Sequence, residues 1–209
     1  MLTYFKCPDG TQRPIKECLE SCPNPEGRCL SLPTLYELGQ VRPWKGRAST
    51  TQLLKGVRQV YLEITQPYAI DPFDSAFMLL GTRHHQQLDS TAKLLEMLSE
   101  QNIDTETTGI LDLLEPDTLD TGNYILCDYK TSGSYAVAKA LGRKNNQGEP
   151  DMLDWELQLN NYRMGVEKLG LTVSRMVIQC CVRDGGTRTA RDNKVPEKFV
   201  RIPVKRLDD

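Results

Sequence analysis

Histidine, tryptophan and net charge are all scarce in this sequence. Of 209 residues only two are His and two are Trp, and 26 Lys and Arg nearly balance 28 Asp and Glu, for a formal net charge of −2. A chain this close to neutral has no global attraction for polyanions, so nucleic-acid contact must rest on local patches. No window approaches eighteen apolar residues, and the opening MLTYFKCPDG has no apolar signal core. Both features argue against a membrane partner and give a cytoplasmic protein as the expectation.

What the sequence does have is cysteine, seven in all. An odd number in a reducing compartment favours metal ligation over disulfides. Cys7, Cys18, Cys22 and Cys29 fall in residues 1–33, which also hold Pro8, Pro14, Pro23, Pro25 and Pro33 and little apolar periodicity. Such a segment has too little apolar surface to order itself without a staple. Four thiolates suit Zn²⁺, with a [4Fe–4S] cluster as the alternative. Cys127, Cys180 and Cys181 lie in strand-like runs and read as small buried hydrophobes.

Periodicity organises the rest. Ser49 caps a predicted helix with apolar positions from Leu53 to Ile64, and a longer helix is expected from about Asp74 to Gln101, carrying Gly81 and the doublet His84-His85. Short strands are expected over Ile103–Thr107 and Ile110–Glu115 around Thr108-Gly109, and a third over Asn123–Thr131. Helical spacing returns at Tyr135–Ala138 and over Leu153–Leu169, closed by Gly170; Val173–Val182 reads as a central strand, 184–197 as a loop and Phe199–Val204 as a last strand. The expected class is α/β, a mixed central sheet of about four to five strands flanked by helices, with a small cysteine-rich segment at 1–33, a helical nucleic-acid-binding region at 34–72 and a core at 73–209. Arg42, Lys45, Arg47, Lys55 and Arg58 lie between Leu38 and Leu62 without an intervening acid and are the expected DNA-binding patch.

The third strand ends in LCDYKTSG. Side chains alternate across a strand, so Asp128 and Lys130 share one face while Cys127 and Tyr129 take the other. An isolated acid–base pair of this kind is usually a surface ion pair. It gains meaning from Asp112, because two acids on strands that can pair could converge on one divalent cation.

With Gly81-Thr82-Arg83-His84-His85 on a helix, Gly109-Ile110-Leu111-Asp112 on a strand, Asp128-Tyr129-Lys130 on the next and Gln158-Leu159-Asn160-Asn161-Tyr162 on a following helix, the chain resembles the PD-(D/E)xK nucleases. Within them it is most similar to the RecB-type exonuclease branch, which is related to the CRISPR adaptation nucleases. The resemblance spans about Gly81 to Val182. It implies a restriction-endonuclease-like core and a Mg²⁺- or Mn²⁺-dependent deoxyribonuclease, with exonuclease or end-processing activity in recombination, repair or phage replication. It further implies His85, Asp112, Asp128 and the backbone carbonyl of Tyr129 as metal ligands, and Asp112, Asp128, Lys130, Gln158 and Tyr162 as the catalytic group. The partner expected is DNA, with room for a helicase or annealing protein and no fixed oligomeric state. Two other readings stand beside it: a non-catalytic nucleic-acid-binding module, against which the intact Asp112, Asp128 and Lys130 argue, and a structure-specific endonuclease on the same core, against which His85 argues.

Overall fold

The computed structural model describes residues 1–41, 43–104, 107–143 and 148–208. In chain order its elements are β1 (Leu2–Lys6), β2 (Gln12–Pro14), α1 (Ile15–Glu20), α2 (Leu32–Leu38), α3 (Thr50–Leu53), α4 (Val57–Thr65), β3 (Tyr68–Ile70), α5 (Ala76–Leu94), β4 (Leu98–Asp104), β5 (Thr108–Pro116), β6 (Tyr124–Ser132), α6 (Ser134–Ala140), α7 (Leu153–Lys168), β7 (Val173–Val182), α8 (Arg188–Asp192) and β8 (Phe199–Val204). The composition suggests three consecutive segments; the contacts divide the chain into two units that each use two stretches, 1–47 with 55–83, and 48–54 with 84–209.

The first unit contains a three-stranded sheet in the order β2-β1-β3. β1 pairs antiparallel with β2 and parallel with β3, so residues 68–70 supply hydrogen-bond partners that the N-terminal segment cannot find in itself. Phe5, Ile15, Cys18, Leu35 and Leu38 bury together beside it. Burying a large apolar side chain contributes about 1.5–3 kcal/mol, so this core orders residues the sequence reading left irregular. The single helix expected after Ser49 is two. Ser49 does cap α3, in a reciprocal capping box with Gln52, but the helix stops at Leu53 and α4 restarts after Gly56. None of the α4 side chains is buried.

The second unit is built on a five-stranded sheet, order β4-β5-β6-β7-β8. β6 and β7 are parallel and every other neighbouring pair is antiparallel, the mixed sheet expected from the sequence. One face carries a core of Leu111, Leu114, Leu126, Val137, Leu159, Val166, Ile178 and their neighbours. The other carries Leu113, Cys127 and Tyr129 with Ala92 and Leu88 of α5. Helices therefore flank both faces, and β6, central and hydrogen-bonded to two neighbours, is buried from Ile125 to Tyr129. β7 and β8 occupy the residues predicted for them. α7 ends at Lys168, with Gly170 just beyond it at φ +86, a conformation cheap only for glycine. The long helix is shorter than predicted: α5 stops at Leu94, and Leu98–Asp104 is the edge strand β4.

Candidate active site at a fork in the sheet

β5 and β6 stay paired only from Leu113↔Cys127 to Pro116↔Tyr124, while β6 continues alongside β7 as far as Ser132↔Val182. One step past Leu113↔Cys127 the register would set Asp112 opposite Asp128, and there the β5–β6 pairing ends. The Tyr129 amide, deprived of a strand partner on that side, donates instead to Asp112 Oδ2 at 2.6 Å. The sheet therefore forks with an acid on each prong. Nothing polar inside a buried fork is cheap unless it is satisfied.

On the β6 prong, Lys130 Nζ lies 2.6 Å from Asp128 Oδ2, which confirms that the two share a face. Gln158 of α7 joins them, donating from Nε2 to Asp128 Oδ1 at 3.1 Å and accepting from Lys130 Nζ on Oε1 at 3.1 Å. The Gln158 Nε2 also reaches the Tyr162 hydroxyl at 3.3 Å. Asp128 is 2% exposed, and burial, reinforced by the nearby Asp112 charge, raises its carboxyl above the ordinary range against the pull of Lys130. Tyr162 is raised as well, mainly by burial. Sequence spacing groups Gln158 and Tyr162 as one helix face; the structure turns that face inward, onto the acid–base pair. Trp155, one turn earlier, packs partly buried against the core, as expected.

The Asp112 prong is different. His85 Nδ1 stands 3.3 Å from Asp112 Oδ1, and that contact raises the histidine above its ordinary value. His84 does not share it: its ring lies near Tyr129 and Phe199, its Nε2 is buried without a hydrogen-bond partner, and burial lowers its pKa. Of the doublet, His85 faces the acids. A third group arrives that the motif reading missed. Glu100 of β4 has its carboxylate with the ligand atoms of His85 and Asp112, all within 4.8 Å of one another, and burial followed by the Asp112 charge raises it. The signal that could have found it was pairing: Ser99↔Leu113 and Gln101↔Leu111 bracket Glu100 and Asp112. It was hidden because 98–101 reads as the end of a helix.

Gly109 explains one motif glycine. A Cβ there would fall 2.4 Å from Tyr162 Cε1, so the strand and the α7 tyrosine approach in a way only glycine allows. At Gly81 a Cβ would meet nothing within 4 Å, and nothing in the structure explains that glycine.

The remaining predicted residues belong to the first unit. Cys18 is buried and Cys7, Cys22 and Cys29 are half-buried, all four as free thiols. Burial raises the Cys18 thiol, and the neighbouring Cys22, Cys7 and Cys29 each raise it further. Among the described residues no three of them bring their sulfurs within 4.8 Å. Lys45, Arg47, Lys55 and Arg58 are exposed, Lys55 is paired with Glu63 at 2.9 Å, and Arg42 lies outside the described residues. In the second unit Cys127 and Cys180 are fully buried, and burial pushes their thiols up to about 12 and about 11.

Among the described residues no helix is long and apolar enough to cross a membrane. No family model and no curated protein matches the chain. Among solved structures it is similar to SSO0001, at 16% identity over 93% of this chain and 76% of that one with a TM-score of 0.45, a likeness that carries no functional argument.

Proposed function

We propose that this chain is a divalent-metal-dependent nuclease of the PD-(D/E)xK type acting on DNA. The observation that carries the reading is the fork itself: Asp128, Lys130 and Gln158 bonded to one another on one prong, and His85, Glu100 and Asp112 grouped on the other. A buried ion pair adds little net stability, and carboxylates facing each other across strands subtract from it. A fold that keeps both is supporting chemistry rather than itself.

The donor set fits Mg²⁺ or Mn²⁺. Oxygen and imidazole ligands lie about 2.0–2.3 Å from such ions, so donor atoms within 4.8 Å of one another can share one. A bound ion there would neutralise charge on phosphate oxygens and lower the pKa of a water bound to it. The chain's own residues do the rest. Lys130 places an ammonium beside the site, where it offsets phosphate charge and orients the attacking water. Asp128 and Gln158 hold that ammonium in place, and Tyr162 holds Gln158. The Tyr129 carbonyl belongs to the ligand set only through the family resemblance; the Tyr129 group bonded to Asp112 is its amide. In the first unit, Cys7, Cys18, Cys22 and Cys29 hold Zn²⁺, with a [4Fe–4S] cluster as the other candidate, and Lys45, Arg47, Lys55 and Arg58 contact the phosphate backbone.

The test is incubation with end-labelled single- and double-stranded DNA in Mg²⁺ or Mn²⁺. The reading expects shortening from an end, stopped by chelation. Intact substrate under every metal condition, with binding retained, favours the non-catalytic module, and internal cuts at junctions favour the structure-specific endonuclease.

A further inference from the structure

We infer that the resting protein, without nucleic acid, binds a divalent cation on His85, Glu100 and Asp112, and that Asp128 stands outside this ligand set as the anchor of Lys130. The inference deepens the nuclease reading and rests on its metal dependence. It makes Glu100, which none of the four motifs contains, a metal ligand.

Three geometric facts lead there. The first is the triad, whose ligand atoms lie within 4.8 Å of one another and come from three separate elements, α5, β4 and β5. The second concerns Asp112. Its Oδ2 is committed to the Tyr129 amide at 2.6 Å, which leaves Oδ1, the oxygen 3.3 Å from His85, as the one directed at the triad. The third concerns Asp128, whose Oδ1 accepts from Gln158 at 3.1 Å and whose buried Oδ2 has no hydrogen-bond partner but is ion-paired with the Lys130 ammonium at 2.6 Å. Recruiting it would mean displacing a cation from a buried carboxylate. The strand register explains why Glu100 is available: it sits between two paired positions and across from Asp112, where like charges destabilise a sheet unless a cation lies between them. Two carboxylates and an imidazole balance a dication and suit Mn²⁺ at least as well as Mg²⁺.

The full chain, free of nucleic acid, is titrated with Mn²⁺ while the electron paramagnetic resonance signal of free Mn²⁺ is followed. Thiolates prefer softer metals, so the cysteines do not compete. Wild type should take up one Mn²⁺ per chain with spin-echo modulation from an imidazole nitrogen; Glu100→Gln should bind more weakly by more than the roughly 10–100-fold that loss of an outer-shell partner costs, and Asp128→Asn should bind like wild type. Thermal melting guards against misfolding: in chelator Glu100→Gln should melt no lower than wild type, since it removes a repulsion, and Mn²⁺ should raise the melting point of wild type but not of the variant. Equal Mn²⁺ affinity in wild type and Glu100→Gln, a loss in Asp128→Asn as large as in Glu100→Gln, or no uptake by wild type each overturns the inference. The two readings fail separately. Mn²⁺ uptake with the expected dependence on a protein that cleaves no nucleic acid supports the site and removes the nuclease, whereas cleavage by a protein whose Glu100→Gln form holds Mn²⁺ normally overturns the site and leaves the nuclease.

Discussion

The cysteines of the first unit and the acids of the second are both candidate metal sites, and they are built in opposite ways. Glu100 and Asp112 stand between paired strand positions, Ser99↔Leu113 and Gln101↔Leu111, with Glu100 itself at a left-handed φ of 48, and His85 is set by a helix packed through Leu88 and Ala92 against the sheet. Their ligand atoms lie within 4.8 Å of one another. Cys7 follows a strand, Cys18 lies in a six-residue helix, and Cys22 and Cys29 lie in the stretch between α1 and α2. Cys18 feels the other three, yet among the described residues no three of the sulfurs lie within 4.8 Å of one another. A site on paired strands is organised by the fold; a site on turns has to be closed by the ion, so binding and local ordering become one event.

The largest expected effect tests the organised site. Lys130→Ala should lower cleavage by about 10²–10⁴-fold while leaving DNA binding nearly unchanged, because its charge matters most where charge develops, and should also lower the melting point, because it leaves the buried Asp128 carboxylate unpaired. Single-turnover rates and filter binding measure the two separately, and a variant with full activity would remove Lys130 from the site. The histidines sharpen the assignment. His85→Ala should cost far more activity than His84→Ala, since only His85 contacts Asp112; equal losses would mean that the helix presents its other face.

For the turn-borne site the expected effect is on order rather than rate. Purified protein should contain one zinc by elemental analysis, and Cys22→Ser should release it, raise amide exchange across residues 1–33 and leave Mn²⁺ uptake at the acids intact. Brown protein containing iron and sulfide would replace zinc with a cluster. Alkylation by iodoacetamide divides the two regions further: after chelation Cys7, Cys22 and Cys29 should react at least about tenfold faster than Cys127 and Cys180, whose burial keeps them protonated. Comparable rates would mean that the central strands open. The smallest change tests the packing behind the fork. Gly109→Ala, which forces a methyl toward the Tyr162 ring, should cost about 1–3 kcal/mol in denaturant unfolding. A neutral result would mean that Tyr162 moves aside freely and does not brace Gln158.

Local pattern alone determined a good part of this protein. The β-rich run at 173–182, the strand at 199–204, the helix from Leu153 and the Ser49 cap all follow from side-chain periodicity and capping chemistry, which act within a few residues. So does the shared face of Asp128 and Lys130, because alternation along a strand needs no partner. What only the tertiary structure decided depends on residues distant in the chain. Leu98–Asp104 carries an apolar residue where a helix would want one, yet pairing with β5 makes it a strand and delivers Glu100 to Asp112. Residues 1–20 look too poor in apolar surface to fold, yet Tyr68–Ile70 completes their sheet and Leu35 and Leu38 complete their core. The fork that turns two separated acids into a site exists because β6 keeps its pairing with β7 after β5 has left it, a choice made by backbone hydrogen bonding between strands some fifty residues apart in the chain, which no local window contains.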